Sequence, residues 1–366
     1  MISADQQNYE EFIRVIVRKI PQIQTHNSNN NNNNNNNNED QVCINQSENS
    51  ISINYQFNQT LQKPTFHFDT IFDEKSTQQQ IYNNAVSHLV DSLFQGVSST
   101  IWAAGQTGSG KSYTLFGIKQ DEGKKGIVYR AIDQIFSKIK NFNESNEEQK
   151  QQNEEYNAYI SIYTLYQERL EDLLADKSEN LRIKQIEDQI YIEKLTKMQI
   201  TSVQECLDVL QNGINKNLTN ITLCSLLQSR QFFFIEISVQ QINKSSGIEQ
   251  MSSLKIIEFE GYKNSISLQK QNEVLFHEKP YFSKTLAAFN NVIVALTNEN
   301  SFHIPYRDSK LTRIMQDSLG GNSRGLMICN LNTKFGYEDI LYNLRIASRV
   351  QQVRNRILLN KNSYNK

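Results

Sequence analysis

Residues 105–112 constrain this chain more than any other stretch, because they read GQTGSGKS and so have the spacing Gly-x4-Gly-Lys-Ser. Glycines let successive backbone N–H groups turn inward around phosphate oxygens without interference from a Cβ atom. In such a loop the lysine neutralises nucleotide phosphates and the serine hydroxyl ligates Mg²⁺. The nucleotide-binding residues that this P-loop pattern predicts are Gly105, Gln106, Thr107, Gly108, Ser109, Gly110, Lys111 and Ser112, with Ser112 as the metal ligand.

The sequence has neither a long apolar run nor a signal peptide, which predicts a soluble, intracellular protein. The chain has 366 residues, enough for one large α/β domain or two small ones. Its formal net charge of -1 gives no global signature for binding nucleic acid or an anionic membrane, so neither partner is predicted. No run of eighteen apolar residues occurs, the first residues do not form a signal peptide, and the 4 cysteines lack a Cys-x-x-Cys spacing.

Apolar patterns along the chain alternate between strand and helix, which predicts an α/β fold. An apolar run at residues 100–104 predicts a strand leading directly into the P-loop. We therefore expect a three-layer P-loop NTPase-type fold, with a central, mostly parallel β-sheet flanked by helices. Residues 29–38 are an unbroken asparagine tract, which predicts a disordered surface insertion over about residues 26–40.

Three local expectations concern the middle of the chain. The polar stretch at residues 141–152 predicts a loop after an apolar helix. The spacing of Leu170, Leu173 and Leu174 predicts a short helical turn. Residues 202–212 have a helical pattern, and Gly213 is the expected end of that helix.

Several segments together resemble the motor head of the kinesin family. The most specific is HIPYRDSKLTR at residues 303–313, which is close to the family's signature for the loop and helix that meet the microtubule. The segments that carry the resemblance are 68–72 with 80–82, 105–115, 284–293, 303–313 with 316–322, and 337–357, the last of which resembles the final motor helix and the start of a neck linker. The resemblance covers nearly the whole chain in the family's order.

The resemblance implies ATP and Mg²⁺ as cofactors, the microtubule (tubulin) as partner, and a cytoplasmic, cytoskeletal location. It places Arg18 and Pro21 at the adenine, and it implies microtubule contacts from Lys284 and from the basic segment that contains Arg307, Lys310 and Arg313. These three basic residues recur every three positions and can line one side of a loop or helix start, which suits an acidic protein surface. The alternative for the same residues is a solvated face balanced by Asp308 and Asp317.

The two segments that resemble the family's switches depart from its pattern. Where the family has Ser-Ser-Arg-Ser-His, residues 228–232 read QSRQF, which keeps Ser229 and Arg230 but replaces the histidine with Phe232. Where the family has Asp-Leu-Ala-Gly-Ser-Glu, residues 258–263 read EFEGYK. Gly261 is kept there, and Glu258 stands for the aspartate. The catalytic residues that the resemblance implies are Ser229, Arg230, Glu258 and Gly261.

Two functional hypotheses follow and stay open at this point. The intact P-loop favours an ATP-driven microtubule motor, whereas the switch substitutions predict weak or absent hydrolysis and favour a microtubule-binding adaptor that holds nucleotide statically. An unrelated P-loop kinase or GTPase is not favoured, since the chain has no Asn-Lys-x-Asp motif for guanine. The expected organisation is an N-terminal tail at 1–10, a motor domain at 11–357 and a neck-linker-like tail at 358–366, with a stalk-bearing partner subunit as one arrangement of the assembly.

Overall fold

The computed structural model describes residues 9–20, 42–57, 60–149, 154–176, 181–186, 189–222, 231–259, 274–334 and 336–358. The helices are α1 (Gln78–Ile81), α2 (Ser87–Leu93), α3 (Lys111–Leu115), α4 (Ile127–Gln149), α5 (Val203–Thr222), α6 (Val274–Leu296), α7 (Lys310–Ile314) and α8 (Tyr337–Val350), with a π-helical turn at Tyr82–Val86 and 3₁₀ turns at Glu122–Lys124, Tyr306–Asp308 and Gln316–Ser318. The strands are β1 (Tyr9–Phe12), β2 (Arg14–Lys19), β3 (Val42–Asn45), β4 (Ser50–Ile53), β5 (Tyr55–Phe57), β6 (Thr60–Gln62), β7 (Thr65–His67), β8 (Thr70–Phe72), β9 (Ser99–Ala104), β10 (Glu154–Tyr166), β11 (Arg169–Asp172), β12 (Arg182–Ile186), β13 (Gln189–Glu193), β14 (Met198–Ile200), β15 (Phe232–Asn243), β16 (Ile248–Glu258), β17 (Arg324–Leu331) and β18 (Arg354–Ile357).

A nine-stranded sheet forms the centre of the fold, in the order β11-β10-β15-β16-β9-β17-β2-β8, with β14 paired to β10. The neighbours β16–β9, β9–β17, β17–β2 and β2–β8 run parallel. The pairs that involve β10, and the pair β15–β16, run antiparallel. The sheet is therefore mixed and not mostly parallel as expected, because β10–β11 and β15–β16 are hairpins, whose strands run antiparallel. Only the other half of the sheet follows the expected strand-helix alternation.

Helices cover both faces of this sheet, because successive strand residues point to opposite sides. On β9, Ile101 and Ala103 pack into the core that includes residues of α2, α4 and α5. Trp102 lies between them in sequence and packs into the opposite core, with residues of α6, α7 and α8. The expected three-layer α/β fold is confirmed.

The parallel strands place their carboxyl ends at one edge of the sheet. In open α/β sheets, ligands bind in the crevice outside these ends. β9 ends at Ala104, directly before the predicted P-loop, and its neighbours β16 and β17 end at Glu258 and Leu331. Of the residues that the sequence assigns to nucleotide, this edge therefore holds the P-loop and Glu258.

Three local expectations are wrong, two because of tertiary packing and one because of a hairpin turn. Helix α4 continues through most of the stretch expected to be a loop, where the Phe142 ring stacks on Tyr156 at 5.0 Å. Leu170 lies in strand β11 rather than in a helical turn. Helix α5 runs past Gly213 to Thr222; a Cβ at Gly213 would lie 3.0 Å from Cδ1 of Ile162, so this glycine permits close packing on β10.

No helix within the described residues is both long enough and apolar enough to cross a bilayer.

Candidate functional site

The predicted P-loop forms a tight turn that only glycine fits at two positions. Gly105 has φ 142°, and a Cβ there would lie 2.3 Å from the carbonyl oxygen of Asn330. Gly110 has φ 89° and directly precedes α3, and its Cβ would lie 2.3 Å from Cγ2 of Ile20. Since left-handed backbone and close approach both exclude larger residues, the spacing of the motif reflects a real steric constraint.

Polar groups line this turn. Lys111 is 7% exposed as a residue, and its ammonium donates to the carbonyl oxygens of Gly105 at 3.0 Å and Gln106 at 2.8 Å. The hydroxyl oxygens of Thr107 and Ser109 are buried and have no hydrogen-bond partner among the described residues. Buried polar atoms without partners are costly, so these hydroxyls suit a polar ligand in the turn. The loop thus fits the phosphates of a nucleotide.

The metal ligand expected at Ser112 is adjacent to a carboxylate. The Ser112 hydroxyl donates to Oε1 of Glu258, the last residue of β16. Burial raises the pKa of the Glu258 carboxyl, while the hydrogen bond from Ser112 and the charge of Lys111 act in the opposite direction. Hydroxyl and carboxylate oxygens are the hard ligands that Mg²⁺ prefers, so this donor set fits the implied cation.

Arg18 lies at the same edge of the sheet, against the ring of Tyr113, which directly follows Ser112. Its side chain is 2% exposed, and Nη1 donates to Oε1 of Gln78 at 2.9 Å and to Oγ1 of Thr114 at 2.8 Å. The guanidinium carbon lies 5.3 Å from the ring centroid of Tyr113, and burial lowers the pKa of Arg18 to about 10. Arg18 therefore supports Tyr113 and the start of α3, and the Tyr113 ring is the more accessible of the two.

Two asparagines that sequence reasoning missed support the loop from β17 and the segment after it. Nδ2 of Asn330 donates to Oγ1 of Thr114 at 2.7 Å, and Nδ2 of Asn332 donates to the carbonyl oxygen of Gly108 at 3.2 Å. A signal for them exists in the sequence, because polar residues at the end of an apolar strand mark the ligand edge of a parallel sheet. Gln78 was also missed, and its role depends on contacts distant in sequence.

The departures from the family's switch pattern pack together where the structure describes them. The rings of Phe232 and Phe259 meet edge to face, with centroids 5.2 Å apart. Phe259 makes a similar contact with Phe289 of α6 at 5.3 Å. Phe232 therefore replaces the polar histidine of the family pattern with apolar packing, which links β15, β16 and α6. Ser229, Arg230, Gly261 and Pro21, all predicted site residues, lie outside the described residues.

The basic residues form a second area on α6, α7 and the turn before α7. Arg307 is exposed in the 3₁₀ turn Tyr306–Asp308, Lys310 and Arg313 are partly exposed on α7, and Lys284 is exposed on α6. The Ser309 hydroxyl caps α7 by accepting from the N–H of Thr312 at 3.1 Å. The four predicted residues thus lie on neighbouring elements, on the face of the sheet opposite α4.

The mixed sheet and the glycine-built cradle at its carboxyl edge define a P-loop nucleotide-binding α/β protein. The family model for the kinesin motor domain matches residues 20–353. This chain belongs to the kinesin motor domain family.

Individual relatives agree with this assignment. A kinesin heavy chain of Gibberella moniliformis is 34% identical over 300 residues, which cover 81% of this chain and 31% of the relative. Kinesin-related protein 3 of Dictyostelium discoideum is 30% identical over 356 residues, covering 95% of this chain and 28% of the relative. This chain therefore spans about a third of the length of these relatives. A solved structure described as that of a fast kinesin superposes with a TM-score of 0.80 at 29% identity, covering 97% of this chain and 95% of that one.

Proposed function

We propose that this chain is an ATP-driven microtubule motor domain, in which the P-loop edge binds Mg·ATP and the basic surface on α6 and α7 binds tubulin. The observation that carries the proposal is the complete cradle. The carboxyl edge of the sheet holds Lys111, the Ser112–Glu258 pair and two buried hydroxyls that have no partner among the described residues. The family of this fold binds nucleotide, generally ATP with Mg²⁺.

Within this proposal the residues have separate roles. Lys111 neutralises the β and γ phosphates, the P-loop backbone encloses them, and Ser112 holds the cation, which supplies charge neutralisation when bound. Ser229, Arg230 and Gly261 act as the groups that sense the γ-phosphate, and Glu258 acts at the cation. Pro21 borders the base, and Arg18, which is buried, supports this edge of the site through Tyr113. The proposed motor domain spans 11–357, with tails at 1–10 and 358–366.

The proposed microtubule contacts have a physical basis in charge. Arg307, Lys310, Arg313 and Lys284 give the surface a positive character on a chain of almost neutral net charge. Opposite charge on a partner accelerates association and orients it. Glu168 contacts both α6 and α7, so the two elements that carry these residues are held together.

The adaptor hypothesis has one observation in its favour. Phe232 cannot donate or accept a hydrogen bond, and it packs against Phe259 rather than lining a polar site. A head that binds nucleotide without turning it over would remain a microtubule-binding module. The same experiment separates the two functions.

The test is ATP turnover by the purified chain with and without taxol-stabilised microtubules, together with co-pelleting in ATP and in a non-hydrolysable analogue. A motor shows turnover that microtubules stimulate and pelleting that changes with nucleotide. Pelleting that ignores nucleotide, with turnover no higher than background, would establish the adaptor. Absence of pelleting in every nucleotide state would refute both.

A further inference from the structure

The contact between Ser112 and Glu258 lies where the proposed nucleotide site would hold its divalent cation. Glu258 ends β16, which pairs in parallel with β9 and places Glu258 beside Ala103. The N–H of Phe259 donates to the carbonyl oxygen of Ala103 at 3.0 Å and extends this pairing past Glu258. Pairing with β9 therefore fixes the backbone at Glu258 and at the residue after it, and the Glu258 side chain extends to the hydroxyl of Ser112.

The position of this carboxylate suits a metal ligand. Around an octahedral Mg²⁺ with bonds of about 2.1 Å, two adjacent ligand oxygens are about 3 Å apart. Oε1 of Glu258 already lies in hydrogen-bond contact with the Ser112 hydroxyl, somewhat closer than two adjacent ligand oxygens on one cation would be. When the Ser112 hydroxyl ligates a cation, Oε1 of Glu258 can occupy the neighbouring ligand position with little movement.

Side-chain length decides whether a water would be needed between the carboxylate and the cation. The kinesin pattern has aspartate at this position, and glutamate is longer by one methylene. A carboxylate that binds a cation through a water lies farther from the cation than one that binds it directly. One extra carbon–carbon bond of about 1.5 Å makes up much of that difference in distance. The extra methylene therefore removes the need for a bridging water.

We propose that Glu258 binds the cation of the nucleotide complex directly, in the inner coordination shell beside Ser112. This inference rests on the nucleotide binding proposed above and specifies the ligands at that site. A direct carboxylate adds a negative charge to the coordination shell and displaces one water. The cation is held more tightly in the ADP complex than it would be through a water, and Mn²⁺ substitutes readily for Mg²⁺, because carboxylate and water ligands suit both.

The experiment counts the waters on the metal and does not depend on turnover. The full chain is saturated with Mn²⁺ and ADP, and the number of inner-shell waters on Mn²⁺ is measured by electron paramagnetic resonance in ¹⁷O-enriched water. Glu258→Asp is the matched variant, because it keeps the charge and shortens the side chain. We expect one water fewer on Mn²⁺ in the wild type than in Glu258→Asp.

Glu258→Gln supplies a second readout. It keeps the length and removes the charge, and we expect its ADP complex to bind Mn²⁺ at least about tenfold more weakly than the wild type. Circular dichroism without nucleotide checks that both variants are folded. Equal water counts in the wild type and Glu258→Asp would overturn direct ligation and leave the proposed motor function intact. Failure of the wild type to bind Mn²⁺·ADP would overturn both proposals.

Discussion

One carboxylate, that of Glu168, holds the start of α7 and a side chain of α6. Its Oε2 accepts the backbone N–H of Lys310 at 2.6 Å, and its Oε1 accepts the hydroxyl of Thr285 at 2.8 Å. Glu168 lies in the turn between β10 and β11, with φ 60°. The turn of the β10–β11 hairpin therefore positions α6 and α7, the helices that carry proposed microtubule contacts.

Removing this carboxylate should destabilise the fold. We expect Glu168→Gly to lower the free energy of unfolding by about 1.5–3 kcal/mol, because the loss of two hydrogen bonds to a charged group outweighs the strain that glycine relieves at this positive φ. Glycine is the informative replacement, since it accepts a positive φ without strain. Urea unfolding measures the change. Thr285→Val, which removes one of the two bonds, should lose less, and a Glu168→Gly variant as stable as the wild type would contradict the prediction.

Changing Lys111 should remove nucleotide binding. We expect Lys111→Ala to abolish binding of a labelled ATP analogue, because Lys111 is the cation proposed to neutralise the phosphates in a turn that is largely closed to water. Fluorescence titration measures it. Lys124→Ala is the control, because Lys124 forms an exposed ion pair with Asp121 at 2.9 Å. Undiminished binding by Lys111→Ala would contradict the assignment of the P-loop.

The basic surface should determine affinity for microtubules at low salt. We expect simultaneous change of Arg307, Lys310 and Arg313 to alanine to weaken co-pelleting on the order of tenfold, with a flatter dependence on salt. Alanine keeps the helical preference of α7, so the fold should be retained. Lys140→Ala, on the helix that covers the opposite face, is the control. Pelleting by the triple variant that matches the wild type at low salt would refute the assignment.

Acid should destabilise the protein through His88. Its ring nitrogen Nε2 lies 3.1 Å from Nη1 of Arg14, and burial lowers the pKa of His88, helped by the charges of Arg14 and Arg324 and opposed by Asp91. The unfolded chain then binds a proton at a higher pH than the folded chain does. Stability is therefore lost as the pH falls through the ordinary histidine pKa of about 6.5.

The variant His88→Gln isolates this contribution. It stays uncharged at every pH, so it should lose less stability than the wild type between about pH 7.5 and 5.5. Urea midpoints measured at each pH give the comparison, and the carboxyl groups common to both proteins cancel in the difference. Parallel pH profiles for the two proteins would show that His88 titrates alike in the folded and unfolded states.

The sequence predicted what is local and missed what packing decides. The P-loop could be found because its eight residues are contiguous and their spacing reflects steric requirements of one turn. The Glu168–Lys310 contact joins residues more than a hundred positions apart, and a single sequence carries no signal for it. The family resemblance assigned Ser112 and Glu258 to one site but did not predict their direct hydrogen bond. The basic residues were found from their spacing and order, but their support from Glu168 was not.

The wrong local predictions have the same origin. Polar residues after position 140 resemble a loop, yet Phe142 packs on Tyr156 and Phe94, which keeps α4 helical there. Gly213 resembles a helix end, but tertiary packing against Ile162 explains the glycine. The leucines at 170–174 follow a hairpin turn in which Gln167 and Glu168 both have positive φ, a geometry typical of tight hairpins, so a strand follows.

Trp102 makes the strand that leads to the P-loop observable without a label. It is the single tryptophan of the chain, is 0% exposed, and lies three residues before the loop begins. All intrinsic indole emission therefore comes from the middle of β9, in the core shared with α6 and α8. A shift of that emission to longer wavelength would report, from one known position, the moment at which water reaches the centre of the molecule.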